Sequence, residues 1–94
     1  MSRRQLRFSR HALERMFERQ ITPEVVEQII GDGQVIAEYP DDKPYPSRLM
    51  LGFDDERPVH VVYAEDIESM TGYIVTAYIP NANLWNDDFQ TRRP

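Results

Sequence analysis

The sequence has no cysteine, which rules out a disulfide framework and a thiolate metal site. It has only two histidines, His11 and His60, so a histidine-based zinc centre would have to borrow carboxylates, and no metal is expected. Glycine is scarce, four residues in all, and no Gly-rich phosphate loop occurs. HExxH, GxSxG and EF-hand spacings are equally missing, which sets aside zinc-protease, serine-hydrolase and EF-hand chemistry. No run approaches the roughly 18 apolar residues of a membrane helix. The basic start, Met1-Ser-Arg-Arg-Gln-Leu-Arg-Phe8, leads into a charged helix without an apolar signal core. The expectation is a cytoplasmic protein with no cofactor and no membrane contact.

What is present is globular composition, 40% hydrophobic with 29% charged residues. Ninety-four residues bury one modest core, so a single α+β domain over 1–94 is expected. The net charge of −5 argues weakly against a general polyanion binder, but it conceals segregation along the chain. Residues 1–20 carry Arg3, Arg4, Arg7, Arg10, Arg15 and Arg19 against Glu14 and Glu18, and the tail adds Arg92 and Arg93. Residues 21–88 hold only Lys43, Arg48 and Arg57 against 14 acidic residues. Either the basic ends fold back on the acidic middle as surface pairs, or they form a functional basic patch.

Hydrophobic periodicity divides the chain. Gln5-Leu-Arg-Phe8 alternates as a short edge strand. Ser9 is a natural N-cap for a helix over about 10–19, with Ala12, Leu13, Met16 and Phe17 on one side and His11, Arg15 and Arg19 on another. Thr22-Pro23-Glu24 starts a second helix with the apolar stripe Val25, Val26, Ile29 and Ile30. Gly31-Asp32-Gly33 should stop it through a left-handed glycine. From Gln34 the period turns to alternation, giving strands at about 34–39, 48–53, 59–65 and 72–79 joined by turn-like links. Short links favour an antiparallel meander. The order β-α-α-β-β-β-β predicts two helices on one face of a twisted, mainly antiparallel sheet. Trp85 and Phe89, at helical spacing, are expected to pin a short final helix or turn onto the body.

Imidazole titrates near neutral pH and guanidinium grips phosphate bidentately, so His11 with Arg15 and Arg19 suits RNA cleavage. The same helix offers the ordinary pairs Arg10–Glu14 and Arg15–Glu18, which would make it a solvated face. His60 shares a face with Val62 and Ala64: in the core it is a satisfied buried histidine, on the open side a candidate acid or base. Arg48 alternates with Leu49 and Leu51, so Arg48, Tyr78 and His60 are candidates for one surface. The proline-punctuated segment 40–47 carries Lys43, Tyr45 and Ser47 in a semi-rigid loop that either approaches a ligand or merely connects. Asp41-Asp42 and Asp54-Asp55-Glu56 are acidic turns, usually only solvated.

Several spaced motifs carry a resemblance over nearly the whole chain: Ser9-x-His11-Ala-Leu-x-Arg15-Met, the helix start at Thr22, Tyr39-Pro-Asp-Asp-Lys-Pro-Tyr-Pro-Ser-Arg48-Leu, and Pro58-Val-His60-Val-Val. Together they are similar to the bacterial family known as domain of unknown function 4258. In its order of elements that family resembles the RelE/ParE-like toxins of type II toxin–antitoxin pairs, including the BrnT-like and MqsR-like branches. The resemblance implies an endoribonuclease that cuts messenger RNA on the ribosome and is neutralised by an antitoxin-like protein, in some members a small zinc-finger protein. Cleavage would be metal-independent: His11 or His60 moves protons, Arg48 and Arg15 stabilise the charged phosphorane, and Arg19, Lys43 and Tyr78 assist in holding RNA. The alternative is a non-catalytic binding or regulatory module of the same fold whose acidic face docks a partner. Convergence of His11, Arg15, Arg48 and His60 on one concave surface would favour the nuclease, and their lying on opposite faces would defeat it.

Overall fold

The computed structural model describes residues 5–94; Arg3 and Arg4 of the basic N-terminus lie outside them. Its elements are β1 (Gln5–Phe8), α1 (Arg10–Arg19), α2 (Pro23–Asp32), β2 (Gln34–Tyr39), β3 (Ser47–Asp54), β4 (Arg57–Asp66) and β5 (Thr71–Tyr78). This is the α+β architecture expected from the sequence. Ser9 caps α1 in extended conformation, and its Oγ accepts from the Ala12 amide at 3.0 Å while donating to the Val75 carbonyl at 3.0 Å. The cap thus fixes the helix start to β5. At the other end Gln20 takes the left-handed conformation. The Arg57 guanidinium donates to the carbonyls of Arg19 (2.6 Å) and Gln20 (2.8 Å), satisfying exposed acceptors at the negative end of the helix. Thr22 caps α2 through Oγ1, with Pro23 at its first position.

The five strands form one sheet in the order β1-β5-β4-β3-β2. Strands β2 to β5 run as an antiparallel meander, whereas β1 pairs with β5 in parallel. An irregularity between β4 and β5 opposes Val62 to Thr76 and Tyr63 to Ile74, leaving Val75 as the extra residue. That bulge shifts the alternation of β5, so Ile74 and Ala77 both reach the core although three residues apart. The core lies between the helices and one sheet face, built from Ala12, Met16, Ile21, Val26, Ile29, Met50, Val59, Val61, Tyr63, Ile74 and Ala77. Leu49, Leu51, His60, Val62, Ala64, Tyr73 and Tyr78 alternate onto the other face.

Two expectations need correction, and one alternative is decided. Phe17 is 87% exposed and Leu13 also faces solvent, because α1 lies mainly on β5 and only the Ala12–Met16 row meets the sheet. Gly33 does not end α2 in a left-handed turn: its φ is −74° and the helix runs through Asp32. What requires glycine there is space, since a Cβ would stand 2.4 Å from the Ile29 carbonyl oxygen. Of the helix or turn expected after Pro80, the structure has turns, with Trp85 buried against the body. Asn81 and Asp88 accept from backbone amides two residues on, at 2.8 and 2.9 Å, and Trp85 bridges back to Arg92, so side-chain turns replace helical bonding.

Candidate functional site

The sequence-predicted residues fall into three places. His60 points away from the helices, as a site residue would, yet it is fully buried because the C-terminal segment closes over it. Trp85 meets its ring edge-on with centroids 4.5 Å apart. Nε2 lies 2.8 Å from the Phe89 carbonyl and Nδ1 3.3 Å from the Tyr78 hydroxyl. A carbonyl only accepts, so Nε2 carries the hydrogen and Nδ1 accepts from Tyr78. Burial lowers the His60 pKa below its ordinary 6.5, and the Phe89 hydrogen bond opposes this in part. Burial also raises the Tyr78 phenol, with Tyr39 adding to the effect and Arg92 opposing it. The pair forms an internal clamp with both imidazole nitrogens engaged.

Arg48 does not share that surface. It opposes Tyr63 across β3 and β4, which puts it on the helix-facing side, and its guanidinium stands 5.7 Å from the Tyr63 ring centroid. Its Nη2 donates to Glu65 Oε1 at 3.1 Å, with Glu65 largely buried. The expectation that Arg48, Tyr78 and His60 line one surface therefore fails: His60 and Tyr78 do, and the sheet separates them from Arg48. The parity of β3 relative to its apolar residues was legible. Which apolar set faces the helices was not, because Leu49 and Leu51 are as buried as Met50.

The third place holds the predicted residues that remain open to solvent. His11 borders a hollow of about 650 Å³ with Arg7, Phe8, Ser9, Tyr73, Ile74 and Val75. Lys43 borders the adjoining hollow of about 380 Å³, whose walls include Pro44, Tyr45, Val62, Ala64, Tyr73 and Val75. Tyr73 and Val75 floor both, making one continuous surface that carries Arg7 and His11 on one side and Lys43 on the other. Tyr45 and Tyr73 stack with centroids 5.3 Å apart and planes 4° from parallel. The Asp66 carboxylate near Tyr45 raises that phenol's pKa, with Tyr73 next in effect. The proline-rich segment thus both connects strands and approaches the sheet. Arg15, within 4.0 Å of Glu18, and Arg19 line neither hollow. His11, Arg15, Arg48 and His60 therefore do not converge on one concave surface, and the nuclease site expected of those four residues fails. Arg10 pairs with Glu14 at 3.2 Å, so most of the arginine-rich helix is the solvated face its spacing allowed.

Tyr45, named from sequence within the proline-punctuated segment, joins this surface together with Arg7 and Tyr73, which were not singled out. A signal existed for Arg7, whose alternation with Leu6 and Phe8 sends it away from the core. For Tyr73 the parallel register Arg7↔Tyr73 decides, and parallel pairing between the two ends of a chain leaves no local mark. Among the described residues no group of three or more His, Asp or Glu side chains is arranged to hold a metal ion, and no helix is long and apolar enough to cross a membrane. Comparison with curated proteins and with solved structures gave no match. A family model, by contrast, matches residues 8–79, from the end of β1 to just past β5, and so includes His11, the 40–47 segment, Arg48, His60 and Tyr73. The chain belongs to the family described as Domain of unknown function (DUF4258).

Proposed function

We propose that this domain acts on RNA through the outer sheet face around Tyr73, as a toxin-like endoribonuclease whose working residues are Arg7, His11, Lys43, Tyr45 and Tyr73. One observation carries the reading: two adjoining hollows share Tyr73 and Val75, with cationic or titratable groups at both ends and stacked tyrosines between. Single-stranded RNA is bound where a backbone can track positive charge while bases stack on aromatic rings. His11 is the proton-transfer group. It takes the proton of a 2′-hydroxyl, whose oxygen attacks the adjacent phosphorus. The bond from phosphorus to the 5′-oxygen breaks, water supplies the proton to that leaving oxygen, and the products are a 2′,3′-cyclic phosphate and a 5′-hydroxyl. Arg7 and Lys43 hold the phosphate charge. His60, Tyr78 and Arg48 serve the framework in this reading, and Arg15 and Arg19 take no part. An antitoxin-like partner neutralises the protein by covering the same face.

The test is incubation of the purified protein with single-stranded RNA, scoring binding and cyclic-phosphate ends. Cleavage by wild type that falls about 10²- to 10⁴-fold in His11→Ala supports the reading. Absence of RNA binding, or undiminished cleavage by His11→Ala, overturns it. Expression of the chain alone checks the cellular side, with growth arrest expected.

A second reading, docking of a basic partner, draws on a different surface. Between α2 and the tail lies a hollow of about 520 Å³ bordered by Asp32, Asp87 and Asp88, with Phe53 half exposed at its edge. Acidic groups around an exposed aromatic ring suit a basic segment with an apolar anchor. If the RNA tests fail while Asp87→Lys with Asp88→Lys abolishes binding of a basic antitoxin-like partner, this reading replaces the first.

A further inference from the structure

We infer that the smaller hollow, between the 40–46 segment and β5, is a base pocket selective for an unstacked guanine; this rests on the RNA reading above and specifies its substrate. At about 380 Å³ the hollow is at the small end of ligand pockets, which run from about 300 to 1,000 Å³, and suits one base with its sugar better than a stacked pair. Its walls are flat and apolar: Pro44, the rings of Tyr45 and Tyr73, and the side chains of Val62, Ala64 and Val75. The tyrosine rings stack on each other, and an outer face of the pair is the π-surface on which a base packs whatever its identity.

Selectivity comes from the polar rim. Asp42 borders the hollow, and Ser47 Oγ, on a buried residue at the start of β3, donates to Asp42 Oδ2 at 2.5 Å. The Asp42 amide also donates to the Tyr39 carbonyl at 3.2 Å, so both backbone and carboxylate are oriented. An ionised carboxylate is an acceptor with about four lone-pair sites, and Ser47 uses one. Guanine alone among the four RNA bases presents two adjacent donors, N1–H and the N2 amino group, on its Watson–Crick edge. Adenine and cytosine place an acceptor nitrogen beside their amino group, and uracil flanks its one N–H with two carbonyls. A fixed carboxylate therefore attracts guanine and repels part of each alternative edge. Lys43, next in sequence and on the same rim, is placed to meet the phosphate of that nucleotide.

Titration of the intact protein with the trinucleotides UGU, UAU, UCU and UUU tests this directly. UGU should bind at least about tenfold more tightly than the other three. Asp42→Asn, which brings donors to the rim, should abolish that preference, so that UGU and UUU bind within about twofold of each other. Chemical-shift changes of the Tyr45 and Tyr73 ring protons, larger with guanosine monophosphate than with adenosine monophosphate, give a readout on unaltered protein. Equal binding of all four trinucleotides overturns the guanine assignment and leaves the RNA reading standing. A preference that survives in folded Asp42→Asn overturns the role of Asp42. No binding of any trinucleotide overturns both.

Discussion

At the scale of single residues, the imidazole of His60 has both nitrogens engaged inside the protein, whereas His11 borders an open hollow. Replacing them should therefore have opposite consequences. His60→Ala removes a fully buried ring and strands a carbonyl and a hydroxyl, so unfolding stability should fall by about 2–4 kcal/mol in chemical denaturation. His11→Ala should leave that stability within about 0.5 kcal/mol, as expected for an exposed side chain. A pH dependence follows as well. Burial holds the folded pKa of His60 below the ordinary 6.5, so the unfolded chain binds a proton more readily. The contribution is complete above about pH 6.5 and is lost as pH falls through the lower folded value. Denaturation midpoints measured from pH 8 downward should show this loss in wild type and its reduction in His60→Gln.

At the scale of elements, the C-terminal segment behaves as part of the sheet's covering layer. Trp85, the only tryptophan, packs edge-on against His60, and the Arg92 guanidinium lies over its ring, 5.5 Å from the centroid. Selectively excited tryptophan fluorescence consequently reports on this segment. Trp85→Ala should cost about 3 kcal/mol or more and admit solvent to His60, which would appear as hydrogen exchange at the imidazole. The contact of α2 with β3 is equally tight: a Cβ at Gly52 would stand 2.3 Å from Ile29 Cγ1. Gly52→Ala should destabilise by about 1–3 kcal/mol through overpacking, and with Ile29→Ala, which removes the Cγ1 it meets, the double variant should lose less than the sum of the two single losses.

At the scale of the whole molecule, the proposed RNA reading requires an acidic chain to bind with few cations. The outer face supplies Arg7 and Lys43 as fixed charges, so about two phosphates are neutralised. The salt slope for a single strand should then be about −1.4, and affinity should fall about sevenfold between 50 and 200 mM salt. A slope several times steeper, measured by anisotropy across that range, would mean that the arginines of α1 also contact the strand.

Local chemistry in the sequence determined the elements. A capping serine and threonine, a proline at a helix start and the change from 3.6-residue to two-residue periodicity each act within a few residues, and β1 through β5 with both helices appear where those signals place them. Short links likewise dictated the antiparallel meander. The tertiary structure decided which alternating set faces the helices, and it decided the fates of the two histidines. His60 became internal because a segment 25 residues further along folds over it through Trp85. His11 became part of a surface because β1 pairs in parallel with β5 and brings Arg7 beside Tyr73. Such long-range juxtapositions depend on the summed burial of distant side chains, and no spacing within either segment encodes them.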